Sequence, residues 1–197
     1  FAIGIWRFRV ISANVDELTS SLRKKTRDMT DDRHYSTTVD SQFGKLTLVA
    51  TDVGLRALIW PDDSASRVPL PSELVADVDH SVLSAACLQV EEYLAGARTE
   101  FDVTFDLRGT AFQQEVWLGL ASIPLGETST YGEMAMRIGR PKAVRAVGAA
   151  IGRNPISIIL PCHRVIGASG DLTGFAGGIE TKRSMLEFER AAIVSLA

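Results

Sequence analysis

The chain has 197 residues, of which 46% are hydrophobic and 23% charged, a composition typical of globular proteins that bury a substantial core. It holds no apolar run near the roughly 20 residues that span a bilayer, which argues against a membrane-bound protein. Its two cysteines, Cys87 and Cys162, do not make up a disulfide framework, so we expect a reducing, cytoplasmic location.

Charge is distributed unevenly along the chain, although the net charge is only −3. Residues 1–108 contain 12 basic and 17 acidic side chains, whereas residues 109–197 contain 9 and 7. Within the second part, residues 131–164 place six arginines and lysines against Glu133 alone. Such a local basic surface indicates an anionic partner at one face, and the alternative is a solvated helix face with incidental charge.

Residues 1–34 are predicted to form a loosely ordered extension. The apolar start is interrupted by Arg7 and Arg9 and lacks the layout of a signal peptide. Because the sequence does not begin with Met, we expect the natural N-terminus to be missing or processed. The stretch that follows, residues 20–33, is polar and dense in mixed charge, so we assign it no chemistry.

Residues 35–108 are predicted to form a small α/β domain. Alternating patterns predict four strands, at residues 35–41, 45–51, 55–60 and 101–107, with a hairpin turn at residues 42–44. Pro, Ser and Asp are frequent in residues 61–72, which predicts a loop. Apolar residues at helical spacing predict a helix over residues 81–94, and Cys87 lies on the core stripe of that helix.

Residues 109–197 are predicted to be mostly helical. Thr110 and Thr130 each begin a capping-box pattern, so a helix is predicted to start after each. The second of these helices is expected to end at Ile138, and Pro141 to start the next, which continues to Ile151. This layout is typical of a helix-turn-helix motif, and two packed core helices are the alternative. A last helix is predicted over residues 181–194.

The segment Pro161-Cys162-His163-Arg164 carries the most chemical information. A thiol becomes a strong nucleophile as a thiolate, and a neighbouring imidazole can bring this about. The chain has only two cysteines and three histidines, so composition alone does not account for their pairing. These four residues leave open a hydrolase, a redox site or an inert buried cysteine.

Five segments, in order and at matching spacings, resemble the O6-alkylguanine-DNA alkyltransferase family. They are residues 145–148, 154–155, 161–165, 174–178 and 182–189. The resemblance covers about residues 35–197 and is strongest from residue 109. It implies an α+β protein with a ribonuclease H-like antiparallel sheet domain (35–108) and a helical catalytic and DNA-binding domain (109–197).

The resemblance also implies direct-reversal DNA repair. An alkyl group would move from the O6 of alkylguanine, or the O4 of alkylthymine, in duplex DNA to the thiolate of Cys162, which inactivates the protein. By the same resemblance, His163 is the general base acting through a water, and Glu189 orients its imidazole. Tyr131 would donate a hydrogen bond to the guanine ring, and Asn154 would brace the turn before the nucleophile.

The target base must leave the helix stack to reach a buried thiol, and Arg145 matches the family's arginine that fills the resulting gap. A phosphate contact is the alternative role for Arg145. The resemblance implies binding at the minor groove. The other residues it implies are Lys142, Ala143, Ala146, Gly148 and Arg153 at the DNA surface, and Val165, Phe175 and Ala176 in the substrate pocket.

Phe175 departs from the family, which often has Tyr at this position with its hydroxyl near the guanine oxygen. No zinc ligand set is evident, no cofactor is implied, and we expect a monomer in solution. Two other functions compete with alkyl transfer. A non-catalytic binder resembling the alkyltransferase-like proteins would lack Cys162, and a cysteine hydrolase would leave the basic helix-turn-helix unexplained.

Overall fold

The computed structural model describes residues 32–196, so nearly all of the predicted extension over residues 1–34 lies outside the described residues. The elements in chain order are β1 (Tyr35–Ser41), β2 (Gly44–Thr51), β3 (Gly54–Ile59), β4 (Val75–Ala76), α1 (Ser81–Leu94), α2 (Ala111–Leu120), β5 (Ser129–Thr130), α3 (Tyr131–Arg137), α4 (Val144–Ile151), a 3-10 turn (Cys162–Arg164), β6 (Val165–Ile166) and α5 (Ile179–Leu196).

The first sheet has the strand order β3-β2-β1-β4. Its three long strands are antiparallel, as predicted, and Ser41 pairs with Gly44 across the predicted hairpin turn. The short β4, which the sequence analysis did not predict, adds a parallel pair to β1. Helix α1 packs on this sheet through a buried face that includes Leu83, Val90 and Tyr93.

The strand predicted over residues 101–107 does not form. This segment makes only an isolated parallel bridge to Leu55, with backbone hydrogen bonds of 2.8 and 2.9 Å. The side chain of Gln89 binds the N–H and the C=O of Asp102, at 2.7 and 2.8 Å, so a side chain takes the place of a neighbouring strand. The alternating apolar residues still pack against the core, which explains the misleading pattern.

Both predicted capping boxes are present. The hydroxyls of Thr110 and Thr130 each accept a hydrogen bond from the backbone N–H three residues on, and the side chains of Gln113 and Glu133 bind back. The prediction that Pro141 starts the next helix was wrong. Residues 141–143 form a turn, closed by a 2.9 Å hydrogen bond from Ala143 N–H to Arg140 O, and α4 begins at Val144.

One large core joins the two halves of the chain. It includes Leu48 and Leu58 of the sheet, Tyr93 of α1, and Trp117 and Val147 of the helical half. Residues 33–197 accordingly pack as one compact unit. None of the helices in the described part of the chain has both the length and the apolar character needed to cross a membrane.

Candidate active site

The backbone before Cys162 is a buried, tightly braced segment. Asn154 Nδ2 donates to Leu160 O at 2.7 Å, and Ile156 N–H donates to Asn154 Oδ1 at 3.1 Å. Between them, Ile158 has a φ of 72°, a conformation that a β-branched residue adopts only at a cost in free energy. Asn154 is thus placed to hold a strained turn that delivers Cys162, which is the position predicted for it.

The thiol of Cys162 is 6% exposed and lies at the wall of a cavity of about 630 Å³. Its Sγ is 3.9 Å from Ser157 Oγ. Burial raises the pKa of Cys162, although hydrogen bonds from Asn154 and Ser157 and the charges of Arg67 and Lys182 oppose this. The resting protein therefore holds a thiol at neutral pH, whereas the sequence analysis expected a thiolate. The proton has to leave during the reaction.

His163, the residue that follows Cys162, is fully buried. Its Nε2 lies 2.7 Å from Glu189 Oε1, and its Nδ1 is buried with no hydrogen-bond partner among the described residues. Burial and the charges of Arg164 and Lys182 lower the pKa of His163, despite the opposing effect of Glu189. A neutral imidazole with one unoccupied nitrogen is the form that can accept a proton.

Glu189 is fully buried in α5, so it is not a solvated helix carboxylate. Its Oε1 accepts hydrogen bonds from Tyr93 Oη (2.6 Å) and Arg164 Nη2 (2.8 Å), and its Oε2 from Gly126 N–H (3.1 Å). Burial alone would raise its pKa, but hydrogen bonds and charges from His163 and Arg164 outweigh this and lower the pKa of Glu189 to about 2. The carboxylate is thus charged at any physiological pH.

Arg164 does not belong to the basic surface with which the sequence analysis grouped it. Its side chain is 6% exposed and binds Glu189 through Nε and Nη2, and its Nη1 donates to Ile123 O at 2.5 Å. A buried arginine needs such an anionic partner, because desolvating an unpaired charge is costly. The Arg of the Pro-Cys-His-Arg motif therefore supports the active site from inside the protein.

The cavity is enclosed by both halves of the chain. Tyr131, Gly148, Phe175 and Ala176 line it on the helical side. The lining residues on the sheet side are Asp62, Asp63, Ser64, Ser66 and Arg67. The ring of Phe175 makes edge-on contacts with the rings of Trp60 and His163, at centroid distances of 5.3 and 6.4 Å. Tyr131, Phe175 and Ala176, predicted near the substrate, thus share one pocket with Cys162.

Val165 differs from its predicted role as a pocket residue. Its side chain is fully buried and does not line the cavity, since β6 pairs with β5 at this point. Its carbonyl instead accepts a hydrogen bond from Lys182 Nζ at 2.5 Å, and the same ammonium donates to Thr173 O at 2.9 Å. Lys182 therefore joins two segments that follow Cys162 in the chain.

Helices α3 and α4 form the predicted helix-turn-helix pair, and Trp117 of α2 anchors α4 by donating to Ala150 O at 2.7 Å. The predicted DNA-contacting residues lie on one stretch of chain. Lys142, Arg145, Ala146 and Arg153 are exposed, and Ala143 and Gly148 are half-buried. Arg137 binds Ser122, and Arg140 pairs with Glu115, so these two arginines are held against the protein.

Three functional contacts were missed by sequence reasoning. Tyr93 reaches Glu189, Lys182 holds Val165 and Thr173, and Arg67 donates to the carbonyl of Asn154 while paired with Asp63. A usable signal existed for Tyr93, which falls at helical spacing with Ala86 and Val90, because a buried tyrosine hydroxyl needs a partner.

In the described part of the chain, no three His, Cys, Asp or Glu side chains are grouped so that they could hold a metal ion.

Two family models match the chain. Residues 34–107 match the ribonuclease-like domain of 6-O-methylguanine DNA methyltransferase, and residues 111–191 match its DNA binding domain. A methylated-DNA–protein-cysteine methyltransferase of Mycobacterium tuberculosis is 51% identical over 158 residues, covering 80% of this chain and 93% of that protein. A protein of the same name from Methanosarcina mazei is 44% identical over 155 residues, covering 79% and 96%.

A solved structure is similar over the same region. The crystal structure of Mycobacterium tuberculosis OGT in complex with DNA has a TM-score of 0.72 at 49% identity. The match covers 80% of this chain and 94% of that chain. Fold and sequence comparisons therefore agree across nearly the whole length of the relatives.

Proposed function

Because the chain belongs to the 6-O-methylguanine DNA methyltransferase family, we propose that Cys162 is the residue that accepts the alkyl group. The protein repairs DNA by direct reversal, moving an alkyl group from O6-alkylguanine to its own cysteine. The observation that supports Cys162 most strongly is its position at the cavity wall, with the buried His163–Glu189 pair behind it. Cys87 lies on α1, and burial followed by the charge of Glu91 raises its pKa to about 11.

The damaged guanine enters the cavity as a flipped base, since a displacement at a base edge cannot take place within the stack. Phe175 and Tyr131 provide aromatic surfaces in that cavity, and Gly148 of α4 lies against the Tyr131 ring, where an added Cβ would be 3.6 Å away. The Tyr131 hydroxyl, now 3.0 Å from Thr173 Oγ1, is the group that donates to the guanine ring.

The reaction is one displacement at carbon. Cys162 Sγ forms a bond to the alkyl carbon while the bond from that carbon to guanine O6 breaks, and guanine leaves with the electron pair. The thiol proton moves through a water to His163 Nδ1, the nitrogen that no described residue occupies. Glu189, bound to Nε2, stabilises the imidazolium that forms, and a hydrogen bond donated by Tyr131 stabilises the departing guanine anion.

DNA approaches through the surface of α3, α4 and the residues that follow. We propose the minor groove as the contact, because the small side chains Ala143, Ala146 and Gly148 permit a close approach of backbone to backbone. Arg145 projects from this surface as the wedge that replaces the flipped base. Lys142 and Arg153 are the other exposed basic residues of this surface, and they contact phosphates.

The two halves of the chain have different roles in this proposal. Residues 109–197 carry the nucleophile and the DNA surface, and residues 35–108 brace them through Tyr93, Trp60 and Arg67. A cytoplasmic location suits a thiol that must stay reduced. Repair of O4-alkylthymine and a monomeric state in solution stay predictions.

A label-mapping experiment tests the assignment of Cys162. The protein is incubated with a duplex that contains O6-methylguanine with a labelled methyl group, and is then digested with trypsin. We expect all label in the peptide of residues 154–164, none in residues 68–98, and none at all in Cys162→Ser. Cys87→Ser is the matched control and should keep full transfer. Label in the Cys87 peptide, or label that survives in Cys162→Ser, would contradict the assignment.

The same experiment separates alkyl transfer from mere binding of alkylated DNA. A non-catalytic binder would retain the duplex and acquire no label, whatever residue stands at position 162. The presence of the thiol, and its burial against an imidazole that can accept a proton, favour transfer.

A further inference from the structure

Tyr93 is the one described residue of the sheet half whose side chain bonds directly to the carboxylate of Glu189. Its hydroxyl lies 2.6 Å from Glu189 Oε1, the same oxygen that holds His163, and its side chain is 1% exposed. A carboxylate has no proton at neutral pH, so the tyrosine is the donor in this pair.

We propose that Tyr93 is a positioning residue for alkyl transfer, which sets how strongly Glu189 stabilises the protonated imidazole of His163. This inference rests on the proposed role of His163 as the general base. Neither the motifs around Cys162 nor the roles implied by the family resemblance included a residue from α1.

The tyrosine ring is held so that its hydroxyl has little freedom. The ring centroids of Phe101 and Phe188 lie 5.4 and 5.7 Å from that of Tyr93. Burial, and then the charge of Glu189, raise the pKa of Tyr93 well above its usual value, so the hydroxyl keeps its proton. The side chain is therefore a permanent donor in a fixed place.

Several hydrogen-bond donors share the negative charge of the Glu189 carboxylate. Glu189 is faced by Tyr93 from α1, by His163 and Arg164 from the 3-10 turn, and by the Gly126 N–H. Lys182, on the same helix as Glu189, adds a positive charge near His163. Each donor withdraws negative charge from the carboxylate, so each reduces what remains to stabilise the imidazolium.

Removing only the Tyr93 hydroxyl should leave more of that charge for His163. We therefore expect the pKa of His163 to rise in Tyr93→Phe. The Glu189 carboxylate, no longer bound by the tyrosine hydroxyl, then stabilises the protonated imidazole more strongly. The phenylalanine ring keeps the packing on Phe101 and Phe188, so the fold is retained. A merely structural role of Tyr93 would lower activity equally at every pH.

The test combines a titration with a rate profile, on the full chain. NMR follows the three imidazoles, His34, His80 and His163, through pH, and single-turnover transfer from a duplex with O6-methylguanine is timed over the same range. In Tyr93→Phe we expect the His163 titration and the acidic limb of the rate to move to higher pH. The rate should fall severalfold on that limb and stay within about threefold of wild type on the plateau.

Tyr35→Phe is the matched control, since Tyr35 lies on β1 and stacks on His80 at 4.4 Å, away from the catalytic residues. It should leave the His163 titration and the rate profile unchanged. An unshifted His163 titration and limb in Tyr93→Phe, or an equal loss of rate at every pH, would overturn the proposal. Absence of label transfer in the wild-type protein would instead overturn the proposed function, while the titration would still report on Tyr93.

Discussion

Glu189 is the residue at which the largest number of active-site contacts meet. Its two oxygens accept hydrogen bonds from the side chains of Tyr93, His163 and Arg164 and from the Gly126 N–H. All four partners lie far from it in sequence, so this one carboxylate links the sheet half, the nucleophile turn and the last helix. A change at Glu189 should therefore affect both stability and catalysis.

Glu189→Gln should destabilise the protein in a pH-dependent way. The pKa of Glu189 is about 2 in the folded protein and near the ordinary 4.5 in the unfolded chain. Its contribution to stability is thus complete above pH 4.5 and is lost as the pH falls toward 2, about 2 kcal/mol being gone by pH 3. At pH 7 the variant should lose about 3 kcal/mol or more, because Arg164 stays buried without its anion.

Urea unfolding at pH 7 and pH 3 measures this effect. The difference in unfolding free energy between the two values of pH should shrink by about 2 kcal/mol in Glu189→Gln. Glu187→Gln, an exposed position on the same helix, is the control and should match wild type within about 0.5 kcal/mol. An undiminished pH dependence in Glu189→Gln would show that other carboxylates account for the acid lability.

At this scale the sequence predicted which residues lie close together better than which hydrogen bonds join them. Cys162, His163, Asn154 and Glu189 lie together where the family resemblance placed them. The partners of Arg164 and Tyr93 could not be predicted, because they depend on how the 3-10 turn and α1 each lie against Glu189 of α5. Burial also altered the chemistry, since desolvation keeps Cys162 a thiol where the motif alone indicated a thiolate.

Helix α4 and the turn before it form the element that we propose contacts DNA. Arg145 is exposed near the start of α4. The residues that follow it have small side chains, which project little from the helix. Only Lys142, Arg145 and Arg153 remain as exposed basic side chains between residues 141 and 164, since Arg164 is buried. The electrostatic attraction to DNA should accordingly be modest. A plot of log K for DNA binding against log salt concentration should have a slope of about −0.9 for each phosphate that is contacted.

Arg145→Ala should separate base flipping from the chemistry. Without the wedge, the flipped state loses the group that offsets a few kcal/mol of lost stacking and pairing, so repair in duplex DNA should slow by at least about tenfold. Reaction with free O6-alkylguanine needs no flipping and should stay within about twofold of wild type. Single-turnover rates with the two substrates give the comparison.

Lys142→Ala is the matched control for charge. It should weaken binding to all duplexes alike and reduce the steepness of log K against log salt by about 0.9, with no selective loss of repair. Equal losses for duplex and free base in Arg145→Ala would favour a different role. A salt slope reduced as in Lys142→Ala would then identify Arg145 as a phosphate contact.

Elements with local signals were predicted well, and elements that depend on distant contacts were not. The capping boxes at Thr110 and Thr130 and the hairpin at Gly44 each lie within a few residues, so local sequence determined them. The supposed strand at residues 101–107 failed because Gln89, from α1, satisfies its backbone. The two short pairs β1–β4 and β5–β6 join residues about 40 positions apart and carry no local pattern.

In the described part of the chain, both halves contribute residues to one site. In the proposed reaction the helical half supplies the thiol, the base and the DNA surface, and the sheet half reaches that site through Trp60, Arg67 and Tyr93. The division at residue 108 that the sequence analysis predicted thus describes the chain order of the two parts. It does not describe independent functions, since both parts line the cavity that contains Cys162.

Each molecule should react only once, because a thioether on Cys162 has no chemical route back to the thiol in this site. The most direct test mixes the protein with a large excess of O6-methylguanine duplex and follows its intact mass with time. We predict that the mass rises by one methyl group per molecule and then stays constant while unrepaired duplex remains. Repaired duplex in excess of protein, or repeated return of the unmodified mass, would contradict the account.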